Sequence, residues 1–357
     1  MQLGYFSFPV HPKNKSLSRC FEEDKNAILL IDKLGFKEAF LGEHLTDEHE
    51  RISSSLLFIS SLIHKTKNIN LGTGTLNLPH HNPAQLASDI AMIDHISAGR
   101  LIVGIGPGSL VSDMEAFNTI KKNRNEMFLE SINHMIKIWK LKPPYNLKGK
   151  YWNINTIKTF DKKLSIGTFM NTYQKPHPEI VCTSLSRNTK SIEALSKKGW
   201  NLLSSNFLQE ESLKYHSKGI QKKFNGMKKN WRVARKIFIN ENKRVTEDYV
   251  FSTKSPYFKT LVQIMNKLEK YGKIDVIKKN PEDKKENINP HKILKDLVIA
   301  GGANEVAEKI LKLRENIGNF NTITYVGIDW KNPQLAKNSL YLMSKKVIKI
   351  LNKHTKS

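Results

Sequence analysis

The chain has 357 residues, 39% of them hydrophobic, and a formal net charge of +25. That length and apolar content suffice for a sizeable buried core and argue against a disordered protein, and no apolar run reaches the length of a membrane span. Lysine carries most of the charge, spreads over most of the sequence and thickens after about residue 210, which reads as solvated faces rather than a nucleic-acid surface, although the field still favours a phosphate-bearing cofactor.

"LGYFSFP" (3–9) reads as a strand. Residues 19–34 carry helical spacing and stop at Gly35. "KEAFLGEH" (37–44) is a second strand, 55–66 a helix, and "NINLGTGTLNLP" (68–79) a third strand. Pro83 opens a helix that ends near Gly99. "RLIVGIG" (100–106) is a fourth strand, and a helix over 123–140 follows. After an irregular stretch, 178–184, 200–205 and 231–240 read as strands, followed by helices over 188–198, 209–225 and 246–270. Residues 271–292 are polar and lysine-rich and read as an inserted surface loop, a candidate lid. A helix over 301–318 and a strand over 321–328 complete the pattern.

Eight strands with helices between them, and no composition shift, point to a single domain over 1–357. The economical architecture is an α/β fold, a (β/α)8 TIM barrel with insertions. Its active site is expected at the C-terminal strand ends. Cys20 and Cys182 lie far apart, and neither sits in a CxxC, so neither a disulfide framework nor a zinc site is expected. "MQLGYFSFPVHP" shows no basic start followed by an apolar block, and a cytoplasmic location is the expectation.

After the second strand, Glu43 and His44 fall at the mouth. A histidine there suits a general base or donor near neutral pH; the competing role is a His merely satisfied by a neighbouring carboxylate. After the third strand, Gly74 and Thr75 leave room for a planar ring to approach the backbone. The adjacent His80-His81 lacks metal-ligand spacing, and packing or capping of the helix at Pro83 suits it better. "GIGPGSLVSD" (104–113) fails the GxGxxG pattern, since Val111 replaces the third glycine, and reads as a glycine-rich exit beside a ligand. After the fifth strand, Ser184, Ser186, Arg187, Asn188 and Ser191 straddle a helix start, a setting for a phosphate or for simple capping by Asn188 or Ser186.

Taken together, "IDKLGFKEAFLGEH" (31–44), the run from Ile69 to Asp113, "YQKPHPEI" (173–180) and "IAGGANEVAEKILKLRENIGNFNTITYVGIDW" (299–330) resemble the bacterial luciferase-like flavin monooxygenases, in the limonene monooxygenase-like branch. The resemblance runs over most of the chain. It implies a barrel that binds FMN, usually as a homodimer. It also implies reduced FMN supplied by a separate flavin reductase, reacting with O2 to oxidise a small organic substrate without a metal.

The family's third strand often carries a non-prolyl cis peptide against the flavin, and Gly74-Thr75 occupy that position. Thr75 and Asn77 are then expected at the polar edge of the isoalloxazine, with Gly106 beside it. His44 matches a mouth histidine used in proton handling. Leu45 stands where a second histidine is frequent. Gly106-Pro107 replace the Cys-Arg pair of the luciferases, which argues against light emission and moves phosphate binding toward Ser184–Ser191, with Arg187 compensating. Phe6, Leu110, Phe117 and Trp152 are the expected substrate-pocket residues. The rival readings are a deazaflavin-dependent hydride-transfer enzyme of the same superfamily, a non-catalytic flavin-binding protein and a basic nucleic-acid binder.

Overall fold

A computed structural model describes residues 1–7, 10–185, 187–222, 224–226, 229–280, 282–284, 288–327 and 332–355. Eight parallel strands close into a barrel with helices around it. They are β1 (Gln2–Ser7), β2 (Glu38–Leu41), β3 (Asn70–Thr73), β4 (Leu101–Gly106), β5 (Glu179–Ser184), β6 (Asn201–Ser204), β7 (Trp231–Ile239) and β8 (Thr322–Gly327). Each pairs with its sequence neighbours, and β8 pairs back to β1, with Gln2 opposite Thr322 and Ser7 opposite Gly327. All eight expected strands are therefore present, in a (β/α)8 arrangement. Among the described residues, no helix is long and apolar enough to cross a membrane.

By internal packing the chain divides into two compact units. One comprises residues 1–39, 49–51 and 182–357; the other comprises 40–48 and 52–181. In the first, the helix Leu17–Leu34 ends where the sequence indicates. Gly35 adopts a left-handed φ of 84°, and the amides of Gly35 and Phe36 reach back to the carbonyls of Asp32 and Ile31, a closure that favours glycine. Deeper in the same unit, Arg232 on β7 grips Glu38 in a fork: Nε and Nη2 each donate to a carboxylate oxygen at 2.7 Å. Behind β6, Ser204 Oγ meets His216 Nδ1 at 2.7 Å and accepts from Trp231 Nε1 at 2.8 Å. Arg232, Glu38, Ser204, His216 and Trp231 thus answer one another's polar groups, as burial requires.

The segment after β7 departs from the sequence reading in three ways. The expected helix 246–270 is broken, because Pro256 disfavours helical backbone at Ser255. Short helical turns over Lys243–Phe251 precede a new helix, Pro256–Lys270, capped by Ser255. The stretch taken as a polar loop contains a turn, Ile274–Ile277, and runs into the start of a helix, Pro290–Leu297. Ile274, Ile277, Ile293, Leu294 and Leu297 are buried with Tyr257 and Leu261 against Ala234, Phe238 and Val326 of the strands. Finally, Val298–Gly301, whose last residue was expected to begin the helix 301–318, forms a further strand paired with Lys236–Ile239.

In the second unit the helices Pro83–Ile96 and Arg124–Lys140 lock together through Trp139 Nε1, which donates to the Ala87 carbonyl at 3.0 Å. The buried Asp94 accepts from Gln174 N and Nε2 at 2.8 and 2.7 Å. That contact anchors the run leading into β5.

Candidate active site

In the second unit, β3 and β4 approach more closely than side chains permit. A Cβ on Gly104 would lie 1.8 Å from the Thr73 carbonyl oxygen, one on Gly72 2.7 Å from the Phe40 ring, and one on Gly106 2.8 Å from Thr75 Oγ1. Gly104 is thus required by backbone proximity, whereas Gly72 and Gly106 are crowded by neighbouring side chains. The Gly74-Thr75 peptide is cis, as the family resemblance implied. Beyond it Leu76–Asn77 resumes pairing with Ile105–Gly106. Gly74 N donates to the Leu41 carbonyl at 2.7 Å, and Thr73 Oγ1 to the Gly104 carbonyl at 2.7 Å. Thr75 and Asn77 differ from Thr73: their side chains make no hydrogen bond among the described residues.

His44, just past β2, faces Asp113 on the short helix Val111–Ala116. His44 Nδ1 lies 3.4 Å from Asp113 Oδ2, with the histidine side chain 22% exposed and the aspartate 3%. The same carboxylate accepts from Leu45 N at 3.3 Å, Thr46 N at 2.9 Å and Thr46 Oγ1 at 2.5 Å. Burial alone would push the Asp113 carboxyl up. The hydrogen bonds from His44, Thr46 and Leu45 outweigh it and hold the group down at about 2, so it is ionised near neutral pH. Sequence reasoning missed this partner, although Asp113 closes the glycine-rich run it singled out.

Helix Val111–Ala116 ends at Phe117, whose ring stacks on His80 with centroids 4.7 Å apart and planes 7° from parallel. His80 Nε2 is buried without a hydrogen-bond partner. Burial lowers its pKa, with Asp113 opposing. Neither histidine caps the next helix: Asn82 does, accepting from Ala84 N at 2.9 Å. His81 lies 3.8 Å from Glu43. Glu43 is not at the surface of the mouth but buried, accepting from Ser55 N and Oγ at 2.8 and 2.7 Å. Arg124, also missed, fixes the glycine-rich loop by donating to the Gly108 carbonyl at 2.7 Å. Of the expected pocket residues, Trp152 is pinned by its amide to Glu130 Oε1 at 2.8 Å, and Leu110 precedes the Asp113 helix. Among the described residues no group of three or more His, Cys, Asp or Glu side chains is placed to hold a metal ion.

The expected phosphate-site residues lie in the first unit. Ser184 is buried at the end of β5, and Ser186 lies outside the described residues. Asn188 caps the helix Thr189–Lys197, accepting from Lys190 N at 2.9 Å and Ser191 N at 3.4 Å. Arg187 Nη2 donates to the carbonyls of Asp275 and Lys278. Capping is therefore realised, and the guanidinium ties the helix start to the turn after Ile274. Phe6 packs against the apolar cluster beneath that turn.

Comparison with known proteins agrees with this construction. The luciferase-like monooxygenase family model matches residues 1–319. The 4-hydroxyprotoasukamycin monooxygenase of Streptomyces nodosus subsp. asukaensis is 36% identical over 114 residues, 32% of this chain and 31% of that protein. Limonene 1,2-monooxygenase of Rhodococcus erythropolis is 34% identical over 113 residues, 32% of this chain and 29% of that one. Both matches thus span about a third of either protein. The fold is shared along nearly the whole length with the oxygenating constituent of 3,6-diketocamphane monooxygenase of Pseudomonas putida, solved with FMN. The TM-score is 0.84, with 24% identity over 97% of each chain. The chain belongs to the luciferase-like monooxygenase family.

Proposed function

We propose that this protein is an FMN-dependent monooxygenase, taking reduced FMN from a separate flavin reductase and oxidising a small organic substrate with O2. The observation that carries the reading is the end of β3. Thr75 and Asn77 offer polar groups that the protein leaves unspent, on a backbone stripped of side chains at Gly72, Gly74, Gly104 and Gly106. That surface fits a flat ring with a polar edge. Bound reduced flavin supplies the electrons that activate O2.

The chain's own residues orient the ring, exclude water and manage a proton. Thr75 and Asn77 hold the polar edge, and Gly106 keeps the adjoining strand low. The ionised Asp113 favours the His44 tautomer with hydrogen on Nδ1 and fixes the ring, and His44 is assigned the proton exchange. Ser184, Ser186, Arg187, Asn188 and Ser191 are assigned to the phosphate end. Because Arg187 Nη2 and the Asn188 side-chain oxygen are already engaged, the contribution left to them is charge and a fixed helix start. A cytoplasmic homodimer without nucleic-acid or membrane partners completes the proposal, supported by the family resemblance and by lysines spread along the chain.

Anaerobic mixing of the protein with reduced FMN, followed by oxygen, tests the reading. The expected result is tight binding and flavin reoxidation several-fold slower than for free FMN. Reoxidation at the free rate with no binding overturns it. In that event, a hydride-transfer assay with reduced deazaflavin discriminates the related enzyme from a non-catalytic binder.

A further inference from the structure

Side chains alternate along β7. Arg232 turns to Glu38, and Arg235, three residues on, lies on the opposite face. Arg235 is 2% exposed. Its Nη1 donates to the Ala234 carbonyl at 3.0 Å, but its Nη2 is buried without a partner. Burial pulls the guanidinium pKa down to about 10, with Glu210 opposing. A buried charge in this position is costly unless something answers it.

Arg235 lines a cavity of about 600 Å3 beside Val298, Ile299 and Leu313. It is the buried charge of that cavity; the other charged lining residues are half-buried or exposed. Glu210 is already engaged, accepting from Asn316 Nδ2 at 2.9 Å. The exposed rim carries Lys279, Lys295, Lys309 and Lys312 against Glu247 and Asp296, with Lys279 paired to Glu211 and Lys309 to Glu305. A rim that is positive but partly neutralised by its own pairs suits a compact anion, while the floor offers one unspent donor on a fixed positive charge. We propose that this cavity is a binding site for a small organic molecule carrying one oxyanion, a carboxylate or a phosphate, with Arg235 Nη2 as its anchor and Lys295 and Lys312 beside it.

Titration calorimetry of the full chain at constant ionic strength, with inorganic phosphate and with butyrate as probes, tests the site. At least one probe is expected to bind saturably, and the preferred probe assigns the class of oxyanion. Arg235→Met should weaken binding about tenfold or more, the size expected for one charge-assisted hydrogen bond. Lys312→Glu should weaken it several-fold, and Lys254→Glu should leave it unchanged. Phosphate held at the helix start by Arg187 would instead be lost in Arg187→Ala and retained in Arg235→Met. No saturable binding of either probe, or equal affinity in wild type and both cavity variants, overturns the proposal. Should Arg235→Met fail to fold, unchanged affinity in Lys312→Glu overturns it alone.

Discussion

Glu38–Arg232 and Asp113–His44 are both carboxylate–base pairs placed by strand ends, each within its own unit, and they are built differently. In the first, two parallel bonds of 2.7 Å join side chains that are 4% and 1% exposed. In the second, a single contact of 3.4 Å joins a buried acid to a ring 22% exposed, and the acid's remaining capacity goes to Thr46 and Leu45. The first pair has its charges spent on each other. The second holds the acid fixed and ionised beside a partly exposed ring. Both contain a buried carboxylate; what separates them is how much of its bonding capacity is spent on the partner base and how far that base is exposed.

Breaking each pair should expose that difference. Removing one partner of the deep pair leaves a buried charge unanswered, so Arg232→Met is expected to cost about 3–5 kcal/mol, read as a lowered urea midpoint. A loss below about 1 kcal/mol would mean that the fork is not holding the unit. His44→Ala should do the reverse: stability nearly unchanged and turnover down roughly 100-fold, measured as oxygenated product per reduced flavin consumed. Equal loss of stability in the two variants would erase the distinction.

The acid side of the second pair yields a pH test. Asp113 is held at about 2 when folded, below the roughly 3.9 of an unfolded aspartate. Its contribution is therefore complete above about pH 4 and is lost as pH falls through 2. Asp113→Asn should lower stability by no more than about 2 kcal/mol at neutral pH, and the gap to wild type should close between pH 4 and 2. Urea melts across that range decide it, because a gap independent of pH would show that the carboxyl is not held down. The smallest effect is expected at Asn77→Ala. Loss of one neutral hydrogen bond weakens binding by about 1 kcal/mol, or roughly fivefold, in a fluorescence titration with FMN. An unchanged affinity would remove Asn77 from the flavin edge.

Much of this was legible in the chain itself. Strands of four to nine residues separated by periodic helices, and Gly35 after an apolar-faced helix, announce themselves locally. So do the glycines of 72–74 and 104–106, because a strand without side chains implies a close neighbour. Asp113 was not legible as a partner of His44: 69 positions separate them, and no local pattern links a carboxylate to a distant ring. The 271–292 stretch misled for another reason. Its lysines dominate the composition, yet Ile274 and Ile277 are buried, as are Ile293 and Leu294 just beyond it, and Asn289-Pro290 is a proper helix start. Val298–Gly301 is too short to separate from the helix after it. The Asn188 cap was foreseen as one of two roles, and the bonds it accepts from Lys190 N and Ser191 N realise that one.

The crossing of β3 and β4 also sets where this enzyme can change. With 1.8 Å between the Thr73 carbonyl oxygen and any Cβ at Gly104, that position is closed to the other amino acids unless the backbone itself moves. At the neighbouring Gly72 and Gly106 the obstacle is a side chain, the Phe40 ring and Thr75 Oγ1, which can yield. Substitutions at Gly104 should therefore inactivate whatever substrate is selected, and those at Gly72 and Gly106 should cost less. Under the proposed function, new specificity is to be sought instead at residues such as Leu110 and Phe117, past the strand ends. The stretch proposed to seat the ring is then among the least free to evolve.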